Sequence, residues 1–443
     1  MSEQLLSVGL DIGTTSTQMV VSELTVENRA SGFAVPEMEI TQRKIRYRSL
    51  VYFTPLVEGK LVDGEKLRRI VAEEYRKAGI TRGEVDTGAV IVTGETSRKE
   101  NARTVMESLS EYAGDFVVAT AGPDLESVLA ARGAGAVDWS RDTGKTVLHI
   151  DIGGGTSNLA LIRDGCIVKT GCLNVGGRLV KFSREGMVTY VSPVLKGLTD
   201  MQVGEMSTKR QRTEMADMLT AALEMAAGRK PVTPLLSRLL TEEAEKPWLP
   251  TEEPVVVSFS GGVADCICQE QEDLVFGDLG PGLGRSIRRS SLCREDYILG
   301  RETIRATVIG AGCYSTQLSG STVYHQNVNF PLKNIPVIKT FDGLRSRGDG
   351  AVILALEGIS APGYRQVADL AKRILKQMPE PVLVCLEQDM AKALGQALAV
   401  RLPPDAQILC IDRIRVEEGS YLDIGQPVGG ALPVVVKTLI LSK

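Results

Sequence analysis

Residues 146–162 read TVLHIDIGGGTSNLALI, and the fold follows from how this stretch has to bend. An apolar run reaches Asp151, breaks into Gly153-Gly154-Gly155, turns through Thr156 and Ser157, and leaves as a second apolar run. Strand-forming residues on both sides make this a buried β-hairpin. Three consecutive glycines are free to take positive φ and to aim N–H groups into one concavity, as an anion requires. Asp151, at the end of the first strand, faces the same place. A carboxylate beside such a nest suits a polyphosphate carried with Mg²⁺, because the metal offsets the charge repulsion. Taken alone, the stretch reads equally as a glycine-rich hairpin with a surface aspartate.

A second copy settles the choice. Residues 6–21, LSVGLDIGTTSTQMVV, repeat the design with Asp11, a turn at Gly13, hydroxyls at Thr14, Thr15 and Ser16, and an apolar exit strand. Similarity of this kind marks a duplicated unit, and two such hairpins clamp one nucleotide from both sides. A third element, residues 255–265, VVVSFSGGVAD, runs a strand into Gly261-Gly262, where a flat ring can lie against backbone.

In this order the three elements resemble the actin, Hsp70 and sugar-kinase superfamily, and the resemblance runs from the start of the chain to residue 316. It implies an α/β fold of duplicated actin-like ATPase (ribonuclease H-like) domains. The halves are expected at residues 1–145 and 146–330, with an additional C-terminal α/β region at 331–443. It also implies ATP or ADP with Mg²⁺ as cofactors. Asp11 and Asp151 are the expected catalytic pair and hold Mg²⁺ through water. Gly13, Thr14, Thr15, Gly153, Gly154, Gly155 and Thr156 are expected at the phosphates, and Ser260, Gly261 and Gly262 at the adenosine.

Composition bounds the rest. The chain has 443 residues, 43% of them apolar, enough for two or three domains with cores of their own. Its 51 basic and 55 acidic residues leave a net charge of −4, which gives no basic excess for nucleic acid or an anionic membrane. The basic run Arg43–Arg48 reads as the solvated face of a half-exposed strand. Eight cysteines in apolar contexts read as buried thiols of a reducing cytosol, and two histidines are too few for a zinc site. The amino terminus has neither the basic region nor the long apolar run of a signal peptide, and no window reaches the length of a membrane span.

Along the chain, residues 64–78 place Leu67, Ile70, Val71 and Tyr75 on one helical stripe. GAVIVT at 88–93 is a buried strand, Ser97–Glu100 is a capping box that opens a helix, and Glu95 reads as solvated. The helix from Pro123 to Gly133 is rich in small residues, as the superfamily's crossing helices between the halves require, and residues 306–323 offer the second crossing. One departure stands out. Chaperone-like members carry a glutamate immediately before this proline to orient the attacking water, whereas this chain has Gly122. Asp124 or Glu126 replaces it only if the helix is rotated, so slow hydrolysis suited to switching is expected. Further on, residues 217–227 read as a core helix, 228–254 as a proline-rich flexible or inserted segment, and 277–284 as a sharply bending loop. From residue 330 a βαβαβ pattern with parallel pairing emerges, and it carries no recognisable catalytic set.

No separate peptide-binding domain follows the nucleotide portion, which sets the chain apart from the Hsp70 chaperones proper. Its whole length, including SVGLDIGTTSTQMVVS, QRKIRYRSLVYFTPL and EEGSYLDIGQP, resembles the ethanolamine ammonia-lyase reactivases of bacterial ethanolamine utilisation. That resemblance implies a weak ATPase acting as a chaperone for one folded client, the adenosylcobalamin-dependent lyase, from which it releases damaged cobalamin. It implies a cytoplasmic protein, with bacterial microcompartment association and homo-oligomer formation compatible with it. The rival classes are a small-molecule kinase of the same fold, which needs a general-base carboxylate beside the γ-phosphate, and an actin-like assembly ATPase.

Overall fold

The structure is a computed structural model that describes residues 3–13, 16–29, 38–57, 61–93, 109, 117–120, 123–241, 255–314, 316–320, 322–345, 351–378, 380–416, 420–428 and 430–438. Two of its sheets are built to one plan. In the first, the order is Met38–Arg48, Ser16–Asn28, Glu3–Ile12, Thr87–Val92, Val117–Thr120. In the second it is Cys166–Leu173, Ser157–Arg163, Val147–Ile152, Val256–Ser260, Tyr297–Leu299. In each, the strand ending in Asp-Ile is antiparallel to the strand that follows it and parallel to the next one inward. The expected duplication is therefore present in the topology itself.

These central strands are apolar on both faces because both faces are covered. Leu148, Ile150 and Ile152 are buried with Phe259 and with Leu219 and Leu223 of the helix Lys209–Ala226. Leu10, Ile12 and Val90 pack on Leu67, Val71 and Tyr75 of the helix Gly64–Ala78. Ile70 of that stripe is only half-buried, whereas Glu74 is buried, where the Tyr47 hydroxyl and the Lys77 ammonium each meet it at 2.8 Å and the Tyr52 hydroxyl also bonds it. The two aromatic hydroxyls make that burial affordable and fix Tyr52 in place.

The small-residue helices cross as expected. Pro123–Gly133 lies on the second sheet, and Ala306–Tyr314 lies on the first. A Cβ added at Gly310 would overlap the backbone of Leu129, and one at Gly133 would overlap Ala306, so the helices approach at a distance only glycine permits.

An eight-stranded sheet forms the C-terminal part. Its parallel strands Ile353–Leu356, Val382–Leu386 and Ile408–Ile411 alternate with the helices Tyr364–Gln377 and Ala391–Ala399, as the pattern predicts. The same sheet recruits Thr316–Leu318 and Tyr324–Gln326 from upstream.

Four expectations need correction or completion. The helix read at 217–227 starts at Lys209, where Thr208 and Gln211 form a capping box. The stretch read as a loop at 277–284 becomes a helix from Gly280. Within 228–254, Pro234–Leu239 is a helix with Leu236 and Leu239 buried in the second half's core, while residues 242–254 lie outside the described ones. All eight cysteines are free, but Cys166 and Cys268 are exposed rather than buried. The capping box at 97–100, Glu95 and Gly122 also lie outside the described residues. Among the described residues no helix is long and apolar enough to cross a membrane.

Candidate nucleotide-binding cleft

The two hairpins close in the same way. Gly13 N donates to Ser16 O, and Gly153 N donates to Thr156 O, each at 2.9 Å. In each hairpin the aspartate sits in register with an amide residue, Asp11 with Gln18 and Asp151 with Asn158. Cross-strand partners share a face, so each turn presents one acid and one amide.

Both turns open on a single cavity of about 460 Å³ lined by Asp11, Gly13, Asp151, Gly153, Gly154, Gly155, Thr156, Gly261 and Gly262, a size that suits a small-molecule ligand. Of the predicted residues, Thr14 and Thr15 lie outside the described ones, and Ser260 does not line the cavity. The Ser260 hydroxyl donates to Asp151 Oδ1 instead.

The glycines do their work differently from expectation. None of Gly13, Gly153, Gly154 and Gly155 has a positive φ, and the Gly13 and Gly153 N–H groups are spent on closing their own turns. The reason for glycine lies in what approaches. Gly177 N donates to Gly153 O at 3.0 Å and Arg178 N to Gly154 O at 2.6 Å, so residues 176–178 lie flat on the turn. A Cβ at Gly176 would overlap Gly154, whereas one at Gly155 would meet nothing within 4 Å. Positive φ belongs to the third element: Gly261, at φ 86°, sits where a Cβ would collide with Ile152.

The carboxylates share this space under strong electrostatic constraint. Burial pushes Asp11 up to about 7, opposed by a hydrogen bond from Thr93 Oγ1 at 3.0 Å and reinforced by the charge of Asp151. Burial likewise pushes Asp151 up to about 6, against the bond from Ser260. Glu126, on the crossing helix, also lines the cavity, and burial followed by the charges of Asp11 and Asp151 raises it far above the usual carboxylate range. Three acids in one cavity hold their protons to higher pH, and a cation among them favours the ionised forms.

Two further acceptors suit such a cation. Gln18 Oε1 and Asn158 Oδ1 are buried without a hydrogen-bond partner among the described residues, and the waters of a hydrated divalent ion are donors. Among the described residues no group of three or more His, Cys, Asp or Glu is arranged to cage a metal directly. The donor set therefore suits Mg²⁺ held through water and phosphate, which keeps several waters in such sites.

Sequence reasoning missed the support behind Asp151. His149 is fully buried, which pushes it down to about 3 and keeps it neutral. Its Nε2 lies 2.9 Å from Ser260 Oγ and its Nδ1 3.1 Å from Ser258 Oγ. Because Ser260 gives its proton to Asp151, Nε2 carries the imidazole hydrogen and donates to Ser260, while Nδ1 accepts from Ser258. Sequence reasoning also missed Gly176-Gly177-Arg178, and the double glycine before a lone arginine was the available signal. Of the two acids proposed to replace the missing glutamate, Asp124 bonds the Thr170 hydroxyl and Glu126 reaches the cavity.

Comparison with known proteins gives the chain a family. The family model described as "Ethanolamine utilisation protein EutA" matches residues 3–347 and 344–442. The chain is similar to the "Ethanolamine ammonia-lyase reactivase EutA" of Salmonella typhimurium (strain LT2), at 38% identity over 99% of both chains. It is similar to the protein of that name from Escherichia coli (strain K12) at 37% identity, again over 99% of both. Among solved structures, a Ppx/GppA family member from Aquifex aeolicus aligns with a TM-score of 0.43 and 13% identity, over 70% of this chain and 97% of that one. On the full-length match, the chain belongs to the EutA family of ethanolamine utilisation proteins.

Proposed function

We propose that the chain is an ATP-dependent reactivating chaperone for the adenosylcobalamin-dependent ethanolamine ammonia-lyase, releasing damaged cobalamin so that intact adenosylcobalamin can bind. The observation that carries the ATP dependence is the pair of aspartate-bearing hairpins opening on one cavity. The client assignment rests on the relatives, whose printed name is that of a reactivase of this lyase.

In this reading the two ATPase halves, expected at residues 1–145 and 146–330, give up Thr316–Leu318 and Tyr324–Gln326 to the C-terminal sheet, and that sheet with the rest of 331–443 is an accessory region that makes contacts. Asp11 and Asp151 would hold Mg²⁺ through water, and Gln18 and Asn158 offer the neighbouring acceptor oxygens. When bound, Mg²⁺ neutralises charge on the polyphosphate. The glycine turns let the phosphates approach the backbone, and Gly261-Gly262 bound the adenosine. Glu126, on the helix Pro123–Gly133, lines the cavity, and in this reading it orients the attacking water. A ligand gripped from both halves has different contacts in open and closed states, so exchanging ATP for ADP biases the closure. Association with a bacterial microcompartment and with further copies of the chain belongs to the same reading.

The test mixes the purified chain with lyase inactivated by cyanocobalamin and then adds adenosylcobalamin with or without Mg²⁺-ATP. Activity should return only with the nucleotide. Asp11→Ala and Asp151→Ala should each lose that effect while keeping the fold by circular dichroism; undiminished reactivation by either variant sinks the assignment.

A further inference from the structure

Five carboxylates line the cleft (Asp11, Glu126, Asp151, Asp265 and Asp278), and Arg178 is the one cationic side chain among its described lining residues. A polyphosphate entering so acidic a space needs positive charge beyond a single divalent ion, and Arg178 is built to supply it.

Its position is fixed from three sides. The backbone N–H bonds Gly154 O at 2.6 Å, which ties the residue to the second glycine turn. Nε donates to Asp278 Oδ2 at 3.1 Å, and the other Asp278 oxygen accepts from Gly280 N at 2.8 Å. With Nε taken by Asp278, the guanidinium presents its two terminal nitrogens on another edge, the fork that matches phosphate oxygens. The third side comes from the opposite half. The guanidinium carbon lies 5.6 Å from the centroid of the Phe53 ring, and the neighbouring Thr54 hydroxyl donates to Gly13 O at 2.7 Å. One residue thus ties its backbone to the second turn directly and reaches the support of the first turn with its side chain, through an aromatic ring.

We propose that Arg178 binds the terminal phosphate of the nucleotide and makes the cleft prefer a triphosphate to a diphosphate. This deepens the ATP-dependent reading and rests on it. The terminal phosphate is the group that reaches between the two aspartate-bearing turns and that ADP lacks, so an arginine braced against both turns gains contacts only with ATP. Asp278 is a positioning residue here, holding the guanidinium without touching the nucleotide.

The test is titration calorimetry of the full chain with Mg²⁺-ATP and with Mg²⁺-ADP, comparing wild type, Arg178→Gln and Arg178→Lys, with thermal melts as the folding control. Losing a charge-assisted phosphate contact should weaken Mg²⁺-ATP by about 10- to 100-fold in Arg178→Gln and Mg²⁺-ADP by much less. Arg178→Lys should recover part of the preference, since it restores charge without the planar fork. An ATP-to-ADP affinity ratio unchanged from wild type, whether both affinities hold or both fall together, overturns the assignment. Should Arg178→Gln fail to fold, Arg178→Lys decides by the same ratio. A wild-type chain that ignores both nucleotides overturns the ATP-dependent reading and this assignment with it; a wild-type chain that binds them, with the ratio unmoved in the variants, overturns this assignment alone.

Discussion

The two halves share an acid, an amide and a turn, yet they brace the acid differently. Asp11 receives one hydroxyl, from Thr93 at 3.0 Å. Asp151 receives Ser260, which is held by His149, which is held by Ser258. Around Asp151 the second half adds Gly177, Arg178, Gly261, Gly262, Val263, Asp265, Cys266 and Asp278 to the cavity wall. Around Asp11 the first half adds chiefly Gly13, Ser16, Gln18 and the segment Val51–Phe53. Duplication kept the carboxylate and let its surroundings diverge. The second half supplies more of the cavity wall than the first.

That comparison can be broken at several points. The largest effect is expected where the halves meet, at Glu126. Glu126→Gln should slow ATP turnover by about 100-fold or more, as loss of a positioned acid-base group does, while Mg²⁺-ATP affinity by calorimetry stays within a few-fold. Turnover that survives would move the water-orienting role from Glu126 to another residue of the cavity.

The next effect is on pH. Asp11 at about 7 and Asp151 at about 6 lie above the ~3.9 of an aspartate in an unfolded chain. The folded chain without nucleotide therefore keeps protons that the unfolded chain has released. The stability these groups contribute is fully present below about pH 4 and is lost as pH rises through about 7. If the proposed site is right, Mg²⁺-ATP needs both as carboxylates and its affinity should climb over the same window, by up to about tenfold per pH unit for each proton displaced. Calorimetry at about pH 5.5 and about pH 7.5 checks the sign, and a flat profile would mean that the acids are already ionised.

Glycine substitutions sharpen the contrast between packing and ligand space. Gly176→Ala forces a Cβ into Gly154 and should cost up to about 3 kcal/mol in urea unfolding. Gly155→Ala meets nothing within 4 Å and should leave stability within about 1 kcal/mol while weakening nucleotide binding. The smallest effect is expected at Ser258→Ala, which leaves His149 Nδ1 without its donor and should cost about 1 kcal/mol with nucleotide affinity unmoved.

What could be read from the sequence was what is written locally. The apolar-Asp-Gly-apolar hairpins, the small-residue helices and the βαβαβ alternation depend on neighbours within a few residues, and each stands where its pattern puts it. The buried Glu74, the aim of Glu126 and the chain from Ser258 through His149 to Asp151 depend on partners brought together by sheet register, which no local period encodes. Thr316–Leu318 belongs to the C-terminal sheet because Thr316 pairs with Val435, a contact across most of that region. One long-range signal was open to view: Gln18 and Asn158 stand at the same offset from their aspartates, and both prove to be buried amides beside them.

The C-terminal sheet is fastened to one side of the molecule. Val435 packs with Ala89 and Ile91 of the first sheet, Leu318 and Val428 pack with Leu5 and Leu24, and the Thr87 and Thr316 hydroxyls meet at 2.8 Å. Any swing of the first half about the crossed glycine helices therefore carries this eight-stranded slab with it as an outrigger. A rotation of a few degrees at the fulcrum becomes a larger sweep at the far rim, where a bulky client would feel it as leverage.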